Sequence, residues 1–256
     1  MKIIGLIPAR MSASRFPGKP LHPILGRPML EHVYLRAAMY EKWDFLGITT
    51  CDEEIKQFSI NNNFPVVMTG GHHTRALDRV AEAIIQIDGE ISDGDIVVCV
   101  QGDEPMMRPD MIDTVIAPLL KDEFMAGTIL AMHISEESIW LNPDTVKIIH
   151  NMEGEVLYTS RAAIPYCKGV FTPELEARRI YGIFAFRWKY LKAFTDKNET
   201  RLERLESCDS NRILDMDFRQ HIAPYPSIKS FSVDSPQDIL LVEQEMEFDP
   251  IWKKYK

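Results

Sequence analysis

No aspartate or glutamate stands before Glu31, although the 256-residue chain carries a formal net charge of -9. Basic residues are outnumbered overall, with 29 Lys and Arg against 38 Asp and Glu, so the basic face of a nucleic-acid binder is not expected. Cysteine is scarce. The four (Cys51, Cys99, Cys167 and Cys208) are scattered and form no CxxC pair, which argues against a disulfide framework and for reduced thiols in the cytoplasm. Long apolar runs are also missing. No stretch approaches the roughly 18 residues that a membrane span requires, and the opening MKIIGLIPAR meets Arg10 too early for a signal-peptide core. Internal repeats and low-complexity tracts are absent.

What remains is a composition of 45% hydrophobic and 26% charged residues, ordinary for a globular chain and large enough to bury its own core. The acid-free beginning contains IPARMSASRFPGKPL, where Arg10, Arg15 and Lys19 sit among Pro17, Gly18 and Pro20. KIIGLIP before it reads as a buried strand ended by proline. A helix follows in MLEHVYLRAAMYEKW, with Met29, Val33, Ala37 and Tyr40 at helical spacing. Strand and helix then alternate: FLGITT, DEEIKQFSINN with an acidic first turn, PVVMT, ALDRVAEAIIQI and DIVVCV, which runs into QGDEP. The alternation implies crossover units and an α/β fold with a mostly parallel central sheet. After about residue 125, TILAMHI, TVKIIH, EVLYTS and IYGIFAF read as strands with short links. SFSVDSPQDILLVEQEMEF reads as a strand, a turn and an amphipathic helix capped by Ser235 with Pro236 at its first position. With no flexible linker, residues 1–256 are expected to form a single domain, with a smaller subregion over about 150–215.

Ligands of open parallel sheets sit beyond the carboxyl ends of the strands. That rule gathers the loop after the first strand (Arg10, Arg15, Lys19), the loop after the fourth (Gln101, Asp103, Glu104) and the turn at Asp234. Cations and backbone N–H groups hold polyphosphate, and carboxylates hold the Mg²⁺ that screens it. The combination suits nucleotidyl or phosphoryl transfer. It is not a P-loop: Ala13 stands where glycine is needed, and Pro20 follows Lys19 where Ser or Thr is needed. Nor is a GxGxxG fingerprint present.

IPARMSASRFPGKPL, VQGDEP, LYTSRAAIP, GIFAFR, RLERLES and SVDSPQD occur in that order over nearly the whole chain. Together they resemble the 3-deoxy-manno-octulosonate cytidylyltransferases, the CMP-KDO synthetases of lipopolysaccharide and capsule biosynthesis. The resemblance implies a Rossmann-like nucleotidyltransferase fold, a homodimer whose subregion at about 150–215 binds sugar and dimerises, and a reaction of CTP with an acidic sugar in the presence of Mg²⁺. The sugar's anomeric hydroxyl would attack the α-phosphorus, giving a CMP-sugar and pyrophosphate. Carried over by position, Ala9, Arg10, Arg15, Lys19 and Arg79 would contact the nucleotide, with Arg10, Lys19 and Asp103 the catalytic groups. Asp103 and Asp234 would bind Mg²⁺. Gln101, Arg161 and Glu206 would face the sugar. Membrane and nucleic-acid partners are not expected.

The chain departs from that family in places. A His-Ser-Gly-Thr-Asp/Glu-Arg stretch is replaced by His73 to Arg79, of which only Asp78 and Arg79 keep the closing pattern. Ile180, Phe184 and Phe186 replace a histidine and tyrosines, and CDSNR (208–212) replaces LEQLR. Phosphate and metal positions match while sugar and base positions differ, so a related 2-keto-3-deoxy acid sugar is one reading. Another nucleotidyltransferase of the same fold, with a different nucleotide or acceptor, is a second. A nucleotide-binding regulatory protein is a third. On pattern alone, Arg161 serves equally as an ion-pair partner, and Glu206 and Arg212 read as solvated helix charges. Adjacent His72 and His73 point apart on most backbones and have no Cys or acidic neighbour in sequence, so a solvated or hydrogen-bonded pair is expected. The run Pro105, Met106, Met107 reads as core or pocket lining, and Trp252 and Tyr255 as packing on the last helix.

Overall fold

Strand β1 (Ile3–Pro8) is apolar almost throughout because it is flanked on both sides. The computed structural model describes residues 1–12 and 15–256. Ala13, the residue at the P-loop glycine position, and Ser14 lie outside the described residues. The chain forms two compact units, Met1–Ile112 with Lys229–Lys256, and Asp113–Ile228.

In the first unit β1 leads through a 3-10 turn at Lys19–Leu21 and a small hairpin, β2 (Pro23–Ile24) and β3 (Arg27–Pro28), into helix α1 (Met29–Ala38). Strand β4 (Phe45–Thr50), α2 (Glu53–Asn61), β5 (Val66–Met68), α3 (Ala76–Gln86) and β6 (Ile96–Val100) follow. The strands lie in the order β5-β4-β1-β6, with Ile4 beside Phe45 and Ile3 beside Ile96, all parallel. Every residue of β6 is buried, which is why its sequence is a continuous apolar run rather than an alternating one.

Helix α4 (Pro109–Lys121) carries the chain into the second unit. There β7 (Gly127–His133), α5 (Glu137–Leu141), β8 (Lys147–His150), β9 (Val156–Ser160), β10 (Arg178–Arg187), α6 (Trp188–Thr195), α7 (Arg201–Glu206), α8 (Ser210–Asp215) and β11 (Gln220–Tyr225) follow. β7 pairs antiparallel with β10 and parallel with β11, and β8 is antiparallel to both β9 and β10. Phe184 and Phe186, at the departures from the family pattern in β10, are core residues at 4% and 1% exposure. Arg212 is not the solvated charge that its sequence pattern suggests. It is buried and grips Glu203 with two bonds, Nε to Oε2 at 2.8 Å and Nη2 to Oε1 at 2.7 Å.

The returning segment ends in α9 (Pro236–Met246). Residues 230–233 form no strand: Val233 spends its N–H on the Asp103 carbonyl, 2.9 Å away, rather than on a sheet ladder. Ser235 is the helix N-cap, as its sequence suggests, and the carboxylate three residues on closes a capping box. Val233, Ile239, Val242 and Met246 pack with Phe16, Ile24, Met29 and Met106 in one apolar cluster, which Trp252 covers. That cluster ties the first loop, the QGDEP loop and α9 together. Tyr255 serves α1 instead: its hydroxyl lies 2.9 Å from His32 Nδ1 and accepts from Arg36 Nε at 2.7 Å.

Candidate active site

Two glycines shape the floor of the site. Gly18 has φ +77°, a left-handed conformation that side chains rarely adopt, and its N–H donates to Met11 O at 2.9 Å. The turn delivers Lys19 to the cleft. Gly102 lies so close to the end of β1 that a Cβ there would meet Pro8 O at 2.8 Å. Only glycine allows this approach without a shift, and it sets Asp103 beside the first loop.

A cleft of about 270 Å³ opens where these loops meet. It is lined by Ala9, Arg10, Arg15, Lys19, Arg79, Gln101, Asp103 and Asp234, together with His73, Thr74, Arg75, Phe16 and Met29 among others. The eight first-named residues come from four separate sequence segments, and all were candidates on sequence alone. Lys19 Nζ donates to Asp103 Oδ2 at 3.0 Å and to Val233 O at 2.6 Å. Arg15 Nη2 donates to Asp234 Oδ1 at 2.7 Å. The acid-free first loop is therefore not bare. Its carboxylate partners arrive from 84 and 219 residues away. The Arg15–Asp234 pair is 57% and 40% exposed, so it contributes about 1 kcal/mol or less and exchanges readily for another anion.

Surrounding bonds hold the segments that carry these groups in place. Ser232 Oγ donates to the buried Glu104 at 2.7 Å. Asp238 Oδ2 accepts the N–H groups of Asp234 and Ser235 at 2.9 and 2.7 Å and the Ser235 hydroxyl at 2.9 Å. Met11 N–H donates to Asp52 at 2.8 Å.

Arg79 is 3% exposed. One guanidinium nitrogen donates to Thr69 Oγ1 at 2.6 Å and Gly70 O at 3.3 Å. The other, Nη2, is buried without a hydrogen-bond partner among the described residues. An unsatisfied buried cationic donor is costly, and a ligand oxygen in the cleft would relieve it. The cleft also contains Thr74 and Arg75, which the sequence marks only as departures from the family. Arg75 occupies the N-cap position of α3. A cation newly placed next to a retained Asp-Arg pair was the available signal. Leu77, where the family has a small polar residue, is 2% exposed and belongs to the core.

Arg161 and Glu206 lie in the second unit and hold each other. Arg161 N–H donates to Glu206 Oε2 at 3.0 Å, and the Arg161 guanidinium donates to the carbonyls of Glu206, Pro143, Asp144 and Ser207. Burial pushes the Glu206 carboxyl up, but hydrogen bonds from Tyr158, Ser160 and the Arg161 N–H, with the Arg161 charge, outweigh it and hold it below the usual range. Glu206 is thus a bound carboxylate rather than a solvated one.

A parallel sheet whose loops gather cations and carboxylates over one cleft suits a nucleotidyltransferase, and similarity to known proteins establishes that class. The chain belongs to the cytidylyltransferase family, whose model matches residues 4–221. It is 38% identical over 237 residues, 92% of each chain, to the 3-deoxy-manno-octulosonate cytidylyltransferase of Nitratidesulfovibrio vulgaris. It is 35% identical over 251 residues to the 8-amino-3,8-dideoxy-manno-octulosonate cytidylyltransferase of Shewanella amazonensis, covering 97% of this chain and 100% of that one. Among solved structures it resembles a CMP:2-keto-3-deoxy-manno-octonic acid synthetase complexed with CTP, with TM-score 0.87 and 29% identity, covering 97% of this chain and 99% of that one. A 4-diphosphocytidyl-2C-methyl-D-erythritol synthase from Anaerococcus prevotii shares the fold at TM-score 0.65 and 19% identity, over 96% of each chain. No helix of the described residues is long and apolar enough to cross a membrane.

Proposed function

We propose that this protein couples CTP to 3-deoxy-manno-octulosonate or its 8-amino relative, releasing pyrophosphate and a CMP-sugar for lipopolysaccharide assembly. The observation that carries this reading is the paired charge of the cleft, Lys19 with Asp103 and Arg15 with Asp234. It is supported by relatives and by a CTP-complexed neighbour that carry these substrates in their names.

In this account the ion pairs are exchanged on binding. Arg10, Arg15 and Lys19 turn to the triphosphate, where charge-assisted bonds to phosphate are stronger than an exposed ion pair. Arg79 Nη2 gains the acceptor it lacks. Asp103 and Asp234 are released together, because Val233 N–H bonded to Asp103 O keeps their two segments side by side. Their oxygen-only donors suit a hard cation such as Mg²⁺, which takes a few carboxylates plus substrate oxygens. When bound, Mg²⁺ would supply charge neutralisation at the phosphates and acidify a nearby hydroxyl. The cations of the first loop stabilise charge on the departing pyrophosphate, and no dedicated side-chain base is required. Gln101, in the cleft, faces the acceptor, while Arg161 and Glu206 bind the acidic sugar or brace the segment that does.

A homodimer belongs to this reading, and Leu157, Tyr166, Val170 and Leu205, exposed apolar side chains of the second unit, are candidates for its interface. Four cysteines that form no disulfide support a cytoplasmic location. The test is pyrophosphate release with Mg²⁺, each of CTP, UTP and ATP, and a panel of acidic sugars. Release with CTP and one octulosonate is expected. Release only with another nucleotide would overturn the assignment.

A further inference from the structure

The histidine pair at 72 and 73 does not stand alone in the folded chain. Its loop links β5 to α3, and α3 brings Glu82 back to it. The ring centroids of His72 and His73 lie 4.1 Å apart rather than pointing away from each other. One donor atom each from His72, His73 and Glu82 lie within 4.8 Å of one another. His73 Nε2 is in direct contact with Glu82 Oε2.

The carboxylate is set in place from behind. Gly70 N–H donates to its two oxygens at 3.0 and 3.2 Å, and Gln86 Nε2 donates to Oε1 at 3.1 Å. That leaves Oε2 facing the imidazoles. Gly70 also makes room for His72: a Cβ there would lie 2.5 Å from the ring's Nδ1 and Cε1. Backbone, carboxylate and both rings are thus fitted to one small space.

We propose that His72, His73 and Glu82 bind a divalent transition-metal ion, with Zn²⁺ the best match, at a site separate from the Asp103–Asp234 pair. Two imidazoles and a carboxylate are the donors that Zn²⁺ takes, at about 2.0–2.2 Å, with a further position open to water. The two sites differ in chemistry. Nitrogen donors favour Zn²⁺, Ni²⁺ or Co²⁺ over Mg²⁺, whereas the aspartate pair favours Mg²⁺. To hold the ion, His73 and Glu82 would separate from their direct contact and the His72 ring would turn toward them. His73 also lines the nucleotide cleft, and Thr74, Arg75 and Ala76 follow it there. A bound ion would pin this stretch to α3.

The experiment is equilibrium dialysis of the metal-stripped full chain against micromolar Zn²⁺ with excess Mg²⁺, counting bound zinc. Other histidines and cysteines of the chain would add background zinc, so the reading is the difference between variants. His72→Ala and Glu82→Gln are each expected to bind one equivalent fewer than the wild type. Gly70→Ala, which keeps all three ligands but displaces the His72 ring, is expected to weaken that equivalent by roughly tenfold or more. Pyrophosphate release by His72→Ala under Mg²⁺ and a zinc chelator should match the wild type. Equal zinc content in the wild type, His72→Ala and Glu82→Gln would overturn the proposal. Should Glu82→Gln fail to fold, His72→Ala decides alone, because that side chain is exposed.

Discussion

Lys19 meets two acceptors at once, the Asp103 carboxylate and the Val233 carbonyl, and is 13% exposed. It therefore joins the segments of the cleft and, in the proposed function, turns to the triphosphate. Lys19→Ala is expected to cut turnover by roughly 10² or more, with circular dichroism unchanged; a mild effect on turnover would remove Lys19 from the phosphate site. Arg79→Lys can still reach Thr69 but loses the second guanidinium nitrogen. Its affinity for CTP should fall roughly tenfold, as read by titration calorimetry. Lys19 was legible because its chemistry is local, a cation in a Gly/Pro turn after a buried strand, whereas Arg79 entered only through the family resemblance. Arg212 was not legible, since its partner Glu203 lies nine residues back across a helix break. Glu82 was missed as a neighbour of the histidines for the same reason, as only the turn of chain into α3 brings it home.

At the scale of elements, the site is a meeting of four segments held by few bonds. Gly102→Ala would force its Cβ against Pro8 O and cost about 2 kcal/mol of stability, as overpacking does, while moving Asp103 and lowering turnover. Ser232→Ala removes a donor from the buried Glu104 and should cost about 2 kcal/mol, since it leaves a buried carboxyl oxygen short of a partner. Denaturant titration checks both. The alternating strands and helices of the first unit could be read from periodicity, because each is apolar on the faces it buries. Residues 230–233 read equally well as a strand. What decided against it was the Val233 N–H, taken by Asp103 O from the QGDEP loop, a long-range bond that no local pattern announces.

For the molecule as a whole, the buried link between α1 and the tail predicts a pH dependence. Burial, aided by the charges of Arg36 and Arg27, lowers the pKa of His32 to about 4, against the pull of its bond to Ile24 O. The unfolded chain takes a proton at this residue below about 6.5, while the folded chain does so only near 4. Stability from His32 is thus intact above pH 6.5 and falls by about 3 kcal/mol as pH drops to 4. His32→Gln, which can still donate to Ile24 O, should flatten this part of the profile in urea titrations at pH 7 and pH 4.5. An unchanged slope would show that other groups carry the acid sensitivity.

In the proposed function, carboxylates from two distant segments join the first loop in one CTP site, and Asp103 tests this most directly. Pyrophosphate release by Asp103→Asn should be measured beside the wild type at saturating CTP, Mg²⁺ and 3-deoxy-manno-octulosonate. Rapid release is expected from the wild type and a loss of roughly 10² or more in the variant, with CTP binding retained because the cations of the first loop are untouched. Wild-type release by Asp103→Asn would contradict it.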